Sequence, residues 1–223
     1  MKNHFNIALD GPSGAGKSTV AKMLSARLGI LYLDTGALYR AIGLKAYLNN
    51  WPEESSLIES FLANTDIKVK YDRDTNTQKV FLDGKDVSKE IRQDFVSGYA
   101  SRFSALPSVR KHLLGLQREI SKEYSSVLDG RDIGTCVIPN AEIKIYLTAT
   151  SDERARRRTA ELIQRGMEAD FEKVKADIEE RDYRDSHREI APLKKADDAI
   201  EIVSDGISAE QVTDKIIDLV NKL

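Results

Sequence analysis

Residues 5–19 read FNIALDGPSGAGKST, and this stretch decides the fold of the 223-residue chain. The apolar run Phe5–Leu9 has the short, continuous pattern of a buried β-strand. Small residues follow from Gly11 to Gly16, and Lys17 opens an amphipathic segment that is typical of a helix. Gly11 to Ser18 fits the pattern G-x-x-x-x-G-K-[ST] without a gap, in the strand–loop–helix order that this motif requires.

The composition of this loop suits it to phosphate groups. Small residues let backbone N–H groups curl around a phosphate, and the N-terminus of the following helix adds a partial positive charge. Lys17 reaches the outer phosphates of a nucleoside triphosphate, and the Ser18 hydroxyl ligates Mg²⁺. The alternative is a glycine-rich turn that binds nothing. We expect a triphosphate-binding loop made of Gly11, Pro12, Ser13, Gly14, Ala15, Gly16, Lys17, Ser18 and Thr19.

The bulk composition limits the range of partners. The chain carries 34 Lys and Arg against 36 Asp and Glu, a net charge of −2, which gives no overall field toward a nucleic acid or a membrane surface. Its single cysteine, Cys136, fits a reducing compartment and is interpreted as a small apolar residue rather than a nucleophile. We find no secretory leader and no apolar run of about 20 residues, so a cytoplasmic location is expected.

Short apolar runs alternate with segments of helical spacing. The runs are 6–9, 31–33, 126–129, 143–147 and 199–203, and the predicted helices include 107–124, 151–166, 171–187 and 208–222. Such alternation predicts an α/β fold with a central parallel sheet flanked by helices. Ligands of these sheets lie beyond the carboxyl ends of the strands, where Asp34–Gly36 and Asp129–Asp132 fall.

One stretch departs from this alternation. Residues 67–71 and 79–82 alternate in the manner of strands, around a turn-like segment at 72–76 and before a second turn signal at Asp83–Gly84. We expect a small antiparallel sheet there, within an insertion that covers roughly residues 63–95.

Two charged clusters lie in the predicted helices. Arg154, Arg158 and Arg165 fall within about 40° on an ideal helix, which makes either a solvated basic face or a polyanion site. In the next helix an apolar stripe continues as Arg181, Asp185 and Arg188 on the same face. These groups either form a local salt-bridge network or meet a polar ligand, because burying them alone is costly. Asp129 closes its apolar run like a carboxylate that holds Mg²⁺.

Four segments together resemble the bacterial cytidylate kinases, a family of nucleoside monophosphate kinases in the P-loop class. They are IALDGPSGAGKST (7–19), YLDTGALYR (32–40), DGRDIGT (129–135) and ERDYRD (180–185) continuing through Arg188 to Ala191–Leu193. The first segment is shared by the whole class, whereas the other three are specific to the family. They span nearly the whole chain in the family's order.

The resemblance implies that residues 1–223 form a single kinase domain with a three-layer P-loop fold and three functional parts. The core would comprise residues 1–34, 105–150 and 189–223. A monophosphate-binding region would span 35–104 and contain the small-sheet insertion, and a helical lid would span 151–188. The resemblance further implies transfer of the γ-phosphate of ATP to CMP or dCMP, with Mg²⁺ as the cofactor and with no nucleic acid or membrane partner. A monomer is expected.

The same resemblance assigns roles to individual residues. Thr35, Arg40 and Arg131 would lie at the phosphate of the monophosphate, while Ser101, Arg110 and Asp132 would contact cytosine. Arg181, Asp185 and Arg188 would contact the sugar and phosphate region. Ser18 and Asp129 would hold the metal. Lys17, Arg131, Arg154 and Arg158 would supply positive charge to the transferred group.

Two other functions compete with this interpretation. One is a P-loop kinase that acts on another acceptor, such as AMP, UMP or shikimate. The other is a GTP-binding switch, a class that usually carries an Asn-Lys-x-Asp guanine reader. Asn-Lys occurs here at Asn221–Lys222, one residue from the end of the given sequence, so the full motif does not occur.

Overall fold

The computed structural model describes residues 4–53, 55–72 and 77–223. In chain order the elements are β1 (Asn6–Asp10), α1 (Lys17–Leu28), β2 (Leu31–Asp34), α2 (Thr35–Leu48), α3 (Ser55–Leu62), β3 (Ile67–Asp72), β4 (Thr77–Leu82), β5 (Lys85–Asp86), α4 (Asp94–Phe103), α5 (Pro107–Glu123), β6 (Ser126–Gly130), β7 (Ile143–Thr148), α6 (Ser151–Gln164), α7 (Phe171–His187), β8 (Ile200–Val203) and α8 (Ala209–Val220). A 3₁₀ turn occupies Glu90–Arg92, and a π-helical turn occupies Ile133–Val137.

The central sheet has five strands in the order β2-β6-β1-β7-β8, and all of the paired strands run parallel. This confirms the predicted parallel sheet. In register, Asp34 pairs with Asp129 and Asp10 pairs with Gly130, so three strands end side by side. Because carboxyl ends of parallel strands meet at one edge, the loops after β1, β2 and β6 form a single surface.

Helices cover both faces of this sheet, which confirms the three-layer arrangement. Ile7 and Leu9 of β1 pack with α1 and α8 on one face, whereas Ala8 packs with Leu128 and the 133–137 turn on the other. Ile7, Ala8 and Leu9 are all fully buried, because a central strand of a parallel sheet is covered on both sides.

A small antiparallel sheet lies within the predicted insertion, as expected. Ile67 of β3 pairs with Leu82 of β4, and a third strand of two residues, β5, follows the turn at Asp83–Gly84. The sequence did not predict β5, because two residues are too short to show alternation. The turn predicted at 72–76 lies mostly outside the described residues. Buried side chains of this sheet join a cluster with α2, α4 and α5 around Phe103.

The helices α6 and α7 have a small apolar cluster of their own. It is built on Ala155, Val174 and Ile178, with Phe171 packed against it. The boundaries of the predicted core, monophosphate region and lid remain predictions, although a separate cluster between α6 and α7 is compatible with a lid. Within the described ranges, none of the helices has both the length and the apolar character needed to cross a membrane.

Candidate active site

The loop after β1 makes a tight approach to the neighbouring strand. Gly11 has φ +146°, and a Cβ at this position would lie 1.9 Å from the backbone oxygen of Leu147 on β7. A side chain is therefore excluded there, so the first glycine of the motif is required by packing as well as by conformation. The loop ends at Gly16, and α1 begins at Lys17 with its N-terminal amides directed at the loop.

Lys17 is a buried cation beneath this loop. Its side chain is 5% exposed, and Nζ donates to the backbone oxygen of Pro12 at 2.7 Å. Burial, followed by the nearby charge of Arg131, lowers the pKa of Lys17 to about 7, although Asp129 and Asp10 oppose this shift. A cation in this state gains from an anionic ligand, since a phosphate restores its charge.

Ser18 and Asp129 bring two oxygen ligands together at the ends of α1 and β6. Ser18 Oγ donates to Asp129 Oδ2 at 2.6 Å. Burial raises the pKa of Asp129, and the charge of Lys17 opposes that rise. A hydroxyl and a carboxylate are the hard oxygen donors that Mg²⁺ prefers. The pair therefore fits the metal predicted for these residues. Among the described residues, no three His, Cys, Asp or Glu side chains form a metal site on their own.

The end of β2 supplies a second group of polar side chains. Thr35 Oγ1 donates to the backbone oxygen of Asp129 at 2.7 Å, which ties the start of α2 to β6. Arg40 Nη2 lies 2.6 Å from Asp34 Oδ2, and Asp34 Oδ1 accepts the backbone N–H of Ala37 as the N-cap of α2. Arg40 Nε is buried without a hydrogen-bond partner. Sequence analysis assigned Thr35 and Arg40 but missed the role of Asp34 in orienting Arg40.

A cluster of partly buried arginines lies near Lys17, after the end of β6 and on α7. Arg131 Nε donates to Asp185 Oδ2 at 2.9 Å. Burial lowers the pKa of Arg131, but the charge and hydrogen bond of Asp185, together with the charges of Asp129 and Asp182, outweigh burial, and the net pKa is raised. Burial and the charge of Arg131 lower the pKa of Arg181 to about 10, and Arg181 Nε is buried without a hydrogen-bond partner. Because Arg40 also repels Arg181, these cations would gain from an anion placed among them.

Asp132 lies at the opposite end of the same cluster, held by two arginines. Its Oδ2 makes a short ion pair with Arg110 on α5, and its Oδ1 lies 3.1 Å from Arg188 Nη2. All three side chains are less than a tenth exposed. Arg110 also lies over the ring of Tyr39, 5.6 Å from its centroid. Of the three residues predicted from α7, Asp185 and Arg188 form salt bridges, which agrees with one of the two alternatives left open by the sequence. A contact of Arg181, Asp185 and Arg188 with a polar ligand remains a prediction.

Ser101, the third residue predicted to contact the base, is connected to Arg110 only indirectly. It is partly buried on α4, and its backbone oxygen accepts from Ser104 Oγ. The backbone oxygen of Ser104 in turn accepts from Arg110 Nη1 at 3.2 Å. Ser101 is thus connected to Arg110 through one intervening residue, Ser104. Its contact with a base remains a prediction.

The two arginines predicted for the lid differ in their surroundings. Arg154 is 5% exposed, and it donates to the backbone oxygens of Ala149 and Ser13 while pairing with Asp182 of α7 at 2.5 Å. Arg158 is about one third exposed and pairs with Glu161 on its own helix. Arg154, Arg158 and Arg165 were expected to share one face of the helix, but their surroundings differ. Arg154 packs against the loop after β1, whereas Arg165 lies at the surface.

Asp10 is a site residue that sequence reasoning missed. Its carboxylate accepts the backbone N–H groups of Ile133 and Gly134 at 2.8 and 2.7 Å. Burial raises its pKa to about 6, although the hydrogen bonds from Gly134 and Ile133 oppose the rise. Asp10 therefore fixes the turn that follows Arg131 and Asp132. The sequence did contain a signal for Asp10, because it is a carboxylate at the end of an apolar run. The same feature led to the prediction for Asp129.

The loop after β1, the buried lysine at the start of α1 and the parallel sheet define a P-loop nucleoside triphosphate-binding protein. A solved structure of the shikimate kinase from Acinetobacter baumannii in complex with shikimate shares this fold, with a TM-score of 0.50 and 16% identity, covering 99% of this chain and 95% of that one. The sequence model of the family described as cytidylate kinase matches residues 7–222. The chain belongs to the cytidylate kinase family.

Curated relatives match over nearly the full length. A protein named cytidylate kinase from Caldicellulosiruptor bescii is 49% identical over 220 residues, covering 98% of this chain and 96% of the relative. Another cytidylate kinase, from Geobacillus sp. (strain WCH70), is 48% identical over 224 residues, covering 100% and 99% respectively. The resemblance based on four segments is confirmed by these matches.

Proposed function

We propose that this protein transfers the γ-phosphoryl group of MgATP to CMP or dCMP, which yields the corresponding diphosphate. The observation that carries the proposal is the position of Asp132. Its carboxylate is held between Arg110 and Arg188 at the end of β6, immediately after Arg131, which belongs to the cation cluster around Lys17. Asp132 would contact the base, and the preceding residue, Arg131, would contact the phosphate. Two adjacent residues with these roles suit a nucleoside monophosphate.

The chemistry of this pocket favours cytosine over uracil. Cytosine offers an N4 amino donor next to acceptors at N3 and O2, so a carboxylate accepts from N4 and a guanidinium donates to the acceptors. Uracil places O4 where cytosine has its amino group, so two acceptors would face each other at Asp132. An unpaired buried polar group costs about 1–3 kcal/mol, and more when it is charged. We therefore expect strong discrimination against UMP.

The donor side follows from the loop after β1. The amides at the start of α1 and the Lys17 ammonium would bind the outer phosphates of ATP. Ser18 and Asp129 would hold Mg²⁺, which neutralises charge on the phosphate oxygens when it is bound with the nucleotide.

Transfer requires positioning and positive charge rather than a dedicated base. The acceptor phosphate is already anionic, so no proton has to be removed before attack. Lys17, Arg131 and Arg181 would stabilise charge that spreads over the equatorial oxygens of the transferred group. Thr35 and Arg40 would hold the acceptor phosphate in line, and Asp185 would orient Arg131 through their 2.9 Å contact. Arg154 and Arg158 remain proposed contributors from the lid.

Closure of α6 and α7 would exclude water from the reacting phosphates. Since water would otherwise compete as an acceptor, closure limits wasteful hydrolysis. We therefore expect turnover of ATP to be much faster with CMP than without an added acceptor.

The proposal also includes a cytoplasmic location, a monomeric state and small-molecule partners without nucleic acid. The location is supported by the single cysteine, Cys136, which has no partner for a disulfide within the chain. Sedimentation analysis of the purified protein would test the monomer.

A panel of acceptors tests the function directly. The purified protein is given MgATP with CMP, dCMP, UMP, AMP or shikimate, and product is measured at equal acceptor concentrations. We expect CMP and dCMP to exceed the other acceptors by at least about a hundredfold in kcat/KM. A tenfold preference for UMP or AMP over CMP would overturn the cytosine assignment, and GTP binding without acceptor-dependent turnover would favour a switch protein.

A further inference from the structure

The side chain of Gln78 joins the small antiparallel sheet to the central sheet. Gln78 lies on β4, and both halves of its amide contact the backbone of one residue, Asp34, at the end of β2. Oε1 accepts the N–H of Asp34 at 2.8 Å, and Nε2 donates to the C=O of Asp34 at 3.3 Å. A side-chain amide that binds a backbone N–H and C=O together imitates the pairing of a neighbouring strand.

This contact lies on an edge of the central sheet. The strand β2 is the edge strand of the central sheet and pairs with β6 on its other side. Unpaired backbone groups at a sheet edge need partners when they are shielded from water. Gln78 supplies those partners at Asp34. A contact of 2.9 Å between Tyr71 Oη on β3 and Ser25 Oγ on α1 links the small sheet to a helix that covers the central sheet.

Asp34 connects Gln78 to the groups assigned to the acceptor phosphate. Its carboxylate caps α2 through Ala37 and lies 2.6 Å from Arg40 Nη2. The next residue, Thr35, bonds to the backbone of Asp129. Rotation of the peptide groups on either side of Asp34 would therefore change the direction of Arg40 and the start of α2. Gln78 holds both of these peptide groups, with one hydrogen bond to each.

We propose that Gln78 is a positioning residue for the acceptor nucleotide, through which the small sheet orients Asp34 and, with it, Arg40. This inference rests on the proposed function, because it requires that Arg40 bind the phosphate of the acceptor. The role is specific to the acceptor, since Gln78 contacts neither the loop after β1 nor the Ser18–Asp129 pair among the described contacts.

The test replaces Gln78 with a side chain of the same length that has no amide. Gln78→Met is expected to raise KM for CMP about three- to tenfold, with kcat and KM for ATP within about twofold of wild type. Lys79→Met on the same strand is the matched control, because Lys79 is exposed, and it is expected to leave all three constants unchanged. Thermal melting of both variants identifies any general loss of stability, and Gln78→Ala provides a second substitution.

A double-mutant cycle separates positioning from a structural role. If Gln78 acts through Arg40, Gln78→Met raises KM for CMP less than twofold when Arg40 is already replaced by Gln. Additive effects, an equal rise in KM for ATP, or a fall in melting temperature with unchanged KM for CMP would each overturn the inference. Failure of the proposed function is distinguished at the outset, because the wild-type protein would then not phosphorylate CMP.

Discussion

Asp10 and Gly134 lie 124 positions apart in the chain, yet Asp10 Oδ2 accepts the backbone N–H of Gly134 at 2.7 Å. The other oxygen of the same carboxylate accepts the N–H of Ile133. The residue that precedes the phosphate loop therefore holds the turn that follows Arg131 and Asp132. Asp10 therefore connects the proposed donor site to the proposed acceptor site, and a substitution of Asp10 is expected to affect both.

Replacing Asp10 by Ala is expected to destabilise the protein by about 2–4 kcal/mol. Two buried amides lose their acceptor at a cost of about 1–3 kcal/mol each, and removal of a buried carboxylate offsets part of this cost. Urea denaturation at pH 7 measures the change. The control Asp214→Ala removes an exposed carboxylate that pairs with the exposed Arg27, and it is expected to cost less than about 1 kcal/mol.

The pH dependence gives this prediction a second readout. Burial raises the pKa of Asp10 from 3.8 to about 6 in the folded protein. The folded state therefore binds more protons than the unfolded state between about pH 4 and pH 6, and the contribution of Asp10 to stability falls as pH rises through this range. The stability difference between wild type and Asp10→Ala should narrow from pH 4 to pH 6, and a widening would contradict the prediction.

Replacing Lys17 by Met is expected to abolish turnover and to stabilise the unliganded protein. Turnover falls at least about a hundredfold, because the cation at the transferred phosphate is lost. Folding lowers the pKa of Lys17 from 10.5 to about 7, so the unfolded state binds more protons between these values and wild-type stability rises with pH there. The gain in melting temperature of the variant should be largest below pH 7 and should shrink toward pH 10.

Lys215→Met is the matched control for this experiment. Lys215 is exposed on α8, far along the chain from the loop, and the same substitution there should change neither turnover nor melting temperature appreciably. Normal turnover by Lys17→Met would remove Lys17 from the catalytic groups. A lower melting temperature at pH 6 would show that the bond to Pro12 outweighs the burial of the charge.

Asp132→Asn is expected to change the choice of acceptor more than the overall activity. An amide presents both a donor and an acceptor, so it accommodates O4 of uracil and the amino group of cytosine almost equally. We expect kcat/KM for CMP to fall about a hundredfold and that for UMP to change less than about threefold. Steady-state kinetics with both nucleotides measure the ratio, with Asp177→Asn, an exposed residue on α7, as the control. An equal loss for both nucleotides would indicate a purely structural role in holding Arg110 and Arg188.

The sequence predicted those features that depend on local periodicity or on a contiguous motif. The five parallel strands, the small sheet and the four predicted helices follow from spacing, and the Ser18–Asp129 pair follows from two strand-end motifs. Features that depend on distant contacts were not predictable. Arg154 looks like a surface residue on a helical wheel, and its burial follows from Ser13 and Asp182, which lie on other elements. Gln78 carries no motif, and its role depends on how two sheets meet.

Two helical glycines provide a matched test of packing in this fold. Gly115 lies exposed in α5, and a Cβ added there would meet no atom within 4 Å, whereas a Cβ on Gly43 in α2 would lie 2.7 Å from the backbone nitrogen of Ala100 in α4. Both substitutions to Ala gain the same helix propensity, about 0.5–1 kcal/mol. Gly115→Ala should therefore raise the free energy of unfolding by about that amount. Gly43→Ala should lower it by about 1–3 kcal/mol, because α2 and α4 must separate. Urea denaturation of both variants measures the two free energies of unfolding. A stabilised Gly43→Ala would mean that α2 and α4 are not held in close contact.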